Sequence, residues 1–301
     1  MPATLELTLH ANDLDFSATS QGEGPTVLCL HGFPDHRGSY RCQLPALAEA
    51  GFQALAPTLR GYEPSSQPKD GDYHIVRMAE DAVAQVDALG PEPVHLVGHD
   101  WGAVIGYAAV VLAPDRFLSL TTLAIPHPGR LGEGLRKVPS QLCNSWYMAF
   151  FQLRGLADRV VERKDWAFIE RLWRDWSPGW ELPQEELRAV KETLAQPGVK
   201  RAALGYYRAM ADRRSAAARE TAKLLDSEIP VPTLALTGAL DGCMDTRLHD
   251  LTMKKADFPA GFEVVRIEGA GHFLHQEKPE EVNPILIDWL RRHTAPEGGA
   301  R

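Results

Sequence analysis

Six short apolar runs, TVLCL, FQALAP, VHLVG, LTTLAI, TLALTG and FEVVRI, recur along the 301-residue chain, each bounded by Gly, Pro or a helical pattern. Between several of them lie helical stretches: LPALAEAG, IVRMAEDAVAQVDALG and AVIGYAAVVLA. Near-continuous apolar strands alternating with helices predict an α/β architecture, a mostly parallel sheet flanked by helices on both faces. At the start, Leu5, Leu7, Leu9, then Leu14 and Phe16 alternate with polar residues, which predicts two paired strands around a turn at Asn12 and Asp13.

The alternation stops between about Pro128 and Asp226. There SQLCNSWYMAFFQL, DWAFIERLWRDW, PQEELRAVKETLA and VKRAALGYYRAMADRR read as helices, and the strand pattern resumes at Val231. The block is therefore expected to be a helical cap, residues 128–226, inserted in a core made of 1–127 and 227–301. Placed at the strand ends, such a cap roofs the region where α/β sheets bind ligands. The length suits one large domain with an insertion, and the final GGAR reads as a frayed tail.

Composition excludes some partners. A net charge of −8 supplies no basic footprint for nucleic acid or an anionic membrane. The apolar stretches, AAVVLA among them, fall far short of the ~20 residues that span a bilayer. MPATLELTLHAND has no signal-peptide pattern. Cys29, Cys42, Cys143 and Cys243 form no C-x-x-C pair and read as small apolar residues in a reducing compartment. The expected location is the cytoplasm.

VHLVGHDWGAVIG then raises a chemical question. An apolar strand, a glycine-bounded turn and a helix start match the nucleophile elbow G-x-S-x-G, with Asp100 in place of the serine. Gly98 and Gly102 permit the strained turn, and the Trp101 N–H and helix N-terminus sit beside the nucleophile. An aspartate after a strand also serves as a plain helix cap. Context decides between them: Asp241 lies just beyond TLALTG, and His272 follows FEVVRI in a Gly-rich loop. Nucleophile, acid, histidine is the chain order of a hydrolytic triad on this architecture. Asp245 is the weaker rival for the acid. HGFP at 31–34 follows the strand TVLCL, where the Phe33 N–H would complete an oxyanion hole with Trp101 and Pro34 would fix the loop, a cis bond being one way.

These segments identify a resemblance. HGFPDHRGSYRCQLPALA, GHDWGAVIG, GALDG and GAGHFLHQEKPEEV resemble the motifs of the epoxide hydrolase family of α/β-hydrolases, over nearly the whole sheet domain. PTLRGYEPSS departs from it, with Thr58 and Glu63 where the family usually has aspartate and glycine; the loop is read as structural. The resemblance implies two lid tyrosines over the nucleophile. SWYMAFFQ maps the first to Tyr147, and GYYRAM maps the second to Tyr207, beside Arg208. Tyr206 then replaces the family's usual tryptophan and, with Phe33 and Trp101, contacts substrate. The plain alternative is that lid aromatics only line an apolar pocket.

The residue types explain the chemistry. With an unperturbed pKa of ~3.9, an aspartate is already anionic at neutral pH. Attack on an ester would give an anhydride, whereas attack on a strained sp³ carbon gives an alkyl ester that water cleaves. An epoxide oxygen leaves as a strong base, and tyrosine, with a pKa of about 10, is a competent proton donor to it. His272, oriented by Asp241, would activate the water, and the product would be a vicinal diol. No cofactor and no metal are implied: His95 and His99 stand on a strand, and no H-E-x-x-H occurs. The expected substrates are a small apolar epoxide and water; the oligomeric state stays open, a homodimer included. The alternative is a haloalkane dehalogenase, whose second halide donor would come from Trp146, Trp166, Trp173, Trp176 or Trp180, because Phe33 offers no side-chain donor. An arginine after the nucleophile would favour a fluoroacetate dehalogenase, and Trp101 stands there instead. A hydrolase fold kept as a non-catalytic binding protein is the remaining alternative.

Overall fold

Eight strands form one sheet in the computed structural model, which describes residues 3–294; the GGAR tail lies outside them. They are β1 (Thr4–Ala11), β2 (Leu14–Gln21), β3 (Thr26–Leu30), β4 (Gln53–Pro57), β5 (Val94–His99), β6 (Phe117–Leu123), β7 (Thr233–Gly238) and β8 (Phe262–Ile267). Their spatial order is β1-β2-β4-β3-β5-β6-β7-β8. β2 pairs antiparallel with β1 and with β4, and every other pair is parallel. Asn12 and Asp13 both take positive φ (50° and 59°), the tight-turn geometry that joins β1 to β2.

The inner strands read as continuous apolar runs because both faces are covered. Side chains alternate across the sheet. Leu28, Leu30 and Leu96 join one core with the helices Ile75–Leu89 and Trp101–Leu112. Val27, Cys29, Val97, Leu234 and Leu236 join the other, against the helices Gln43–Glu49 and Pro279–His293. This last helix is absent from the helical stretches read in the sequence. Its signals are local: proline at the start, Glu280 and Glu281 in the first turn, Arg291 and Arg292 in the last.

Between β6 and β7 the described chain is helical, from the turn Pro128–Arg130 to the helix Ala216–Asp226. The stretch SQLCNSWYMAFFQL is two short helices, Ser140–Asn144 and Trp146–Phe151, parted at Ser145. The atypical loop after β4 is tied into the sheet domain. Glu63 accepts the Ser17 N–H at 2.7 Å, and the buried Arg60 guanidinium grips Asp81 through two bonds of 2.6 and 2.8 Å.

The elbow depends on backbone crossing backbone. A Cβ at Gly102 would lie 2.0 Å from the Leu30 carbonyl oxygen, and one at Gly98 would lie 2.3 Å from the Gly102 oxygen. Neither neighbour is a flexible side chain that could yield. We therefore expect Gly102→Ala to cost about 3 kcal/mol or more of stability. Gly132→Ala, in the helix Leu131–Lys137 with open space at its Cβ, should be neutral or slightly stabilising. Denaturant unfolding midpoints of the two variants check the contrast, and equal midpoints would refute it.

Candidate active site

Asp100 stands between β5 and the helix that begins at Trp101, at φ 49° and ψ −116°. Non-glycine residues rarely hold such a backbone, and here the glycine contacts around the turn enforce it. The same crowding extends to the oxyanion turn, where a Cβ on Gly32 would come within 2.4 Å of Asp100 Cβ. The Asp100 carboxylate is thus pressed against the HGFP turn, and the Phe33 N–H donates to its Oδ1 at 2.8 Å. Among the described residues Phe33 is the backbone donor on that carboxylate. The Trp101 N–H, expected beside it, makes no bond to the carboxylate in this conformation.

Two histidine contacts fix the turn and the loop behind it. Burial lowers His31 to about 3, so its ring is neutral; Nδ1 donates to the Gly32 carbonyl at 3.0 Å and Nε2 accepts the Leu59 N–H at 3.2 Å. The Phe33–Pro34 bond is cis. The Pro34 carbonyl accepts the Trp173 indole N–H at 2.8 Å, which ties the turn to the helical insertion.

His272 is fully buried between two carboxylates. Its Nδ1 lies 3.0 Å from Asp241 Oδ2 and its Nε2 lies 3.6 Å from Asp100 Oδ2. Asp241 in turn receives the backbone N–H groups of Cys243 and Met244 on Oδ1, at 2.7 and 2.8 Å. Its two oxygens therefore have separate tasks: one is anchored and the other faces the imidazole. Asp245, the rival acid, pairs instead with Arg247 (2.6 Å) toward solvent.

The electrostatics follow from this geometry. Burial alone would push His272 down, but the Asp241 and Asp100 carboxylates outweigh it and raise the imidazole to about 10. It is an imidazolium at neutral pH while Asp100 carries its charge. Tyr147 and Tyr207 face each other with ring centroids 5.7 Å apart. Burial, reinforced by the negative charge of Asp100, holds both hydroxyls well above their ordinary value, so they keep their protons. Tyr207 packs edge-on against Phe33 (5.2 Å) and Trp101 (5.0 Å), and no acceptor takes the proton of its buried hydroxyl.

Tyr206 points differently. Its hydroxyl donates to the Arg60 carbonyl at 2.6 Å while its ring meets Trp101 edge-on at 5.3 Å. Its polar end thus ties the helix Val199–Met210 to the loop after β4. Arg208 pairs with Asp158 at 2.7 Å. Among the candidate second tryptophans, Trp173 spends its N–H on Pro34 and Trp146 is 39 % exposed. Trp176 alone of the five packs on the triad, 5.1 Å from the His272 ring.

Sequence reasoning missed the struts behind the triad. The Trp176 carbonyl accepts the N–H of both Gly242 (3.0 Å) and His272 (3.1 Å), joining the acid loop to the histidine loop. Glu277 completes the brace, accepting the Ser177 hydroxyl at 2.6 Å and the Gly271 N–H at 2.7 Å. The Trp176 carbonyl is a backbone acceptor that no side-chain motif advertises, and Glu277 acts through its side chain on Ser177 and on the Gly271 N–H. Asp35, His99 and His275, also unanticipated, are buried together with ligand-type atoms within 4.8 Å of one another. Asp35 Oδ2 accepts from Ser39 (2.5 Å) and Gln276 (2.8 Å), His275 Nε2 meets the Ser39 hydroxyl at 2.8 Å and His99 Nε2 meets the His272 carbonyl at 3.0 Å, while Nδ1 of His99 and of His275 are buried without a partner.

Comparison with known proteins gives the family. The model of the alpha/beta hydrolase fold family matches residues 25–279. An epoxide hydrolase 3 of Siraitia grosvenorii is 32 % identical, the match covering 95 % of this chain and 98 % of the relative. Epoxide hydrolase A of Mycobacterium tuberculosis is also 32 % identical, over 96 % and 98 %. The chain belongs to the epoxide hydrolase family of α/β-hydrolases. Among solved structures of that family, an epoxide hydrolase from Vigna radiata superposes with a TM-score of 0.81 at 27 % identity, covering 96 % of this chain and 98 % of that one. No helix among the described residues is long and apolar enough to cross a membrane.

The carboxylate pair around His272 has a measurable consequence. Its folded pKa, about 10, lies above the ordinary 6.5. The stabilisation this confers is present in full below about pH 6.5 and is lost as pH rises through about 10. Ring ¹⁵N spectra of the resting protein should therefore report an imidazolium at pH 8. Asp100→Asn should bring its titration down toward neutrality. A wild-type imidazole that titrates near 6.5 would show that the two carboxylates do not act on it together.

Proposed function

We propose that the chain is an epoxide hydrolase that opens a small apolar epoxide to a vicinal diol through an alkyl ester on Asp100. The observation that carries this reading is a carboxylate nucleophile placed in an Asp–His–Asp arrangement beneath two buried, protonated phenols. Attack by a carboxylate on carbon needs no base; departure of an epoxide oxygen needs an acid. The residues 128–226 act as the cap that brings the phenols over the nucleophile.

Ring opening proceeds as follows. Asp100 Oδ2 forms a bond to an epoxide carbon while Oδ1 stays on the Phe33 N–H. The ring C–O bond breaks, its electron pair goes to oxygen, and that oxygen takes a lid tyrosine's proton. Esterification removes the charge of Asp100, and with it one of the two influences that hold His272 protonated. The imidazolium then returns its proton to the phenolate and becomes a base. In the second half, Asp241-oriented His272 takes a proton from water as that water attacks the Asp100 carboxyl carbon. Phe33, with the Trp101 N–H once it engages, stabilises the oxyanion. Collapse releases the diol and leaves Asp100 ionised beside an imidazolium, as at the start.

A dehalogenase would need a halide held by Trp101 and a second N–H donor, and of the candidate tryptophans Trp176 is the one whose ring packs on His272. Halide departure gives no use for two buried phenols, so the epoxide reading is preferred.

Intact mass of His272→Gln after exposure to styrene oxide and to 1-bromobutane separates the two. A gain of one whole epoxide, absent in Asp100→Ala, is expected. A gain equal to the haloalkane less hydrogen halide would replace the reading with the dehalogenase one. Tyr207→Phe should lower kcat for the epoxide by about 10²–10³, the cost of one preorganised donor.

A further inference from the structure

The two lid phenols are not in equivalent surroundings. Tyr207 Oη is buried beside the Trp101 indole, a donor only, and no acceptor takes its proton, whereas Tyr147 Oη lies 3.4 Å from Cys243 Sγ. Cys243 is 2 % exposed and is held on both sides by its own backbone. Its N–H donates to the triad acid Asp241 at 2.7 Å, and its carbonyl accepts the Gln141 side-chain amide at 2.7 Å. Gln141 lies in the helix Ser140–Asn144, next to the helix that carries Tyr147. One residue thus connects the Asp241 turn to a hydroxyl carried by the helix Trp146–Phe151. An alanine would leave the site equally apolar; the thiol adds a polar contact to the phenol.

We propose that Cys243 is a positioning residue for ring opening: its thiol engages the Tyr147 hydroxyl and leaves Tyr207 as the principal proton donor to the departing oxygen. This rests on the epoxide reading above. In the step concerned, the Asp100 Oδ2–carbon bond forms and the ring C–O bond breaks. The oxygen receives the Tyr207 proton, and Tyr207 becomes the phenolate later reprotonated by His272. Tyr147 orients the epoxide oxygen as a second, weaker donor. Cys243 keeps its proton throughout and is neither alkylated nor oxidised. Burial holds its thiol well above the ordinary range, consistent with a thiol that is not a nucleophile.

The test is a double-mutant cycle read on the separate half-reactions with styrene oxide. Cys243→Val removes the polar contact while keeping the site apolar, at the cost of about one extra methyl group; Cys243→Ser restores a hydroxyl partner at nearly the thiol's size. In single-turnover experiments Cys243→Val should slow alkylation about three- to tenfold, the worth of one weak hydrogen bond, and leave ester hydrolysis unchanged. Cys243→Ser should recover most of that loss. In a Tyr147→Phe background Cys243→Val should have no further effect, and in the wild-type background Tyr207→Phe should cost at least tenfold more than Tyr147→Phe. Additive losses from Cys243→Val and Tyr147→Phe, equal losses from the two Tyr→Phe variants, or a slowing shared by both half-reactions would overturn the role. The S–H infrared stretch of Cys243, compared between wild type and Tyr147→Phe, reads the contact without turnover; an unchanged band overturns the contact even if a valine variant folds badly. A wild type that forms no diol and no ester from styrene oxide would overturn the epoxide reading, and this role with it.

Discussion

A buried imidazole flanked by two carboxylates is the interaction on which the rest of the site depends. His272 has no exposure to solvent, and Asp241 and Asp100 flank it at 3.0 and 3.6 Å. Such a group is tolerable in a protein interior only when paired and hydrogen-bonded. The surrounding architecture supplies that requirement piece by piece. Two backbone N–H groups hold Asp241, the Phe33 N–H holds Asp100, and the Trp176 carbonyl holds the histidine loop. The helical segment between β6 and β7 therefore contributes the strut that joins the Asp241 loop to the His272 loop.

The elbow imposes the complementary steric constraint. Asp100 reaches the site from a positive-φ turn, and the turn exists because Gly98, Gly102 and Gly32 let backbones pass where a methyl group would collide. Glycine in a G-x-D-x-G motif is thus required by contact with β3 and with the oxyanion turn, which connects the pattern of five residues to the packing of three separate chain segments.

Much of this was legible in the sequence because it is carried by local signals. The six apolar runs correspond to β3 through β8, and the positive-φ Asn12–Asp13 turn joins β1 to β2. Asp100, Asp241 and His272 could be read because each follows a strand end, where chain order and topology leave few arrangements. The lid residues were legible as types but not as directions. Tyr206 and Tyr207 are adjacent on one helix, and helical geometry sends one to the Arg60 carbonyl and the other toward the nucleophile. Nothing in GYYRAM discloses which backbone carbonyl lies within reach. The Trp176 and Pro34 carbonyl contacts were invisible for the same reason: main-chain acceptors carry no residue code. The helix Pro279–His293 was missed although its caps are local, because Asn283 and the internal Pro284 read as a break in the sequence, while the buried face runs through Val282, Leu286, Trp289 and Leu290.

The charge arrangement accounts for an aspartate nucleophile working together with lid tyrosines. In the resting site two carboxylates and one imidazolium sum to one negative charge. On the proposed route, ring opening neutralises Asp100 and creates a phenolate, so the sum is unchanged. Transfer of the imidazolium proton to that phenolate leaves Asp241 as the one charge, again the same sum. Water attack then regenerates Asp100 and the imidazolium together. Every step moves charge within the pocket and none imports or exports it, which avoids the desolvation cost of changing net charge in an interior shielded from water. A serine nucleophile begins uncharged and must be deprotonated by its histidine, so it would break this sequence at the first step. A lid of phenylalanines would break it too, since the opened ring's alkoxide would remain as an unpaired base against Asp241. On the proposed route the aspartate and the tyrosines are thus two halves of one electrostatic requirement, and His272 would serve both by giving up its proton only after Asp100 has lost its charge.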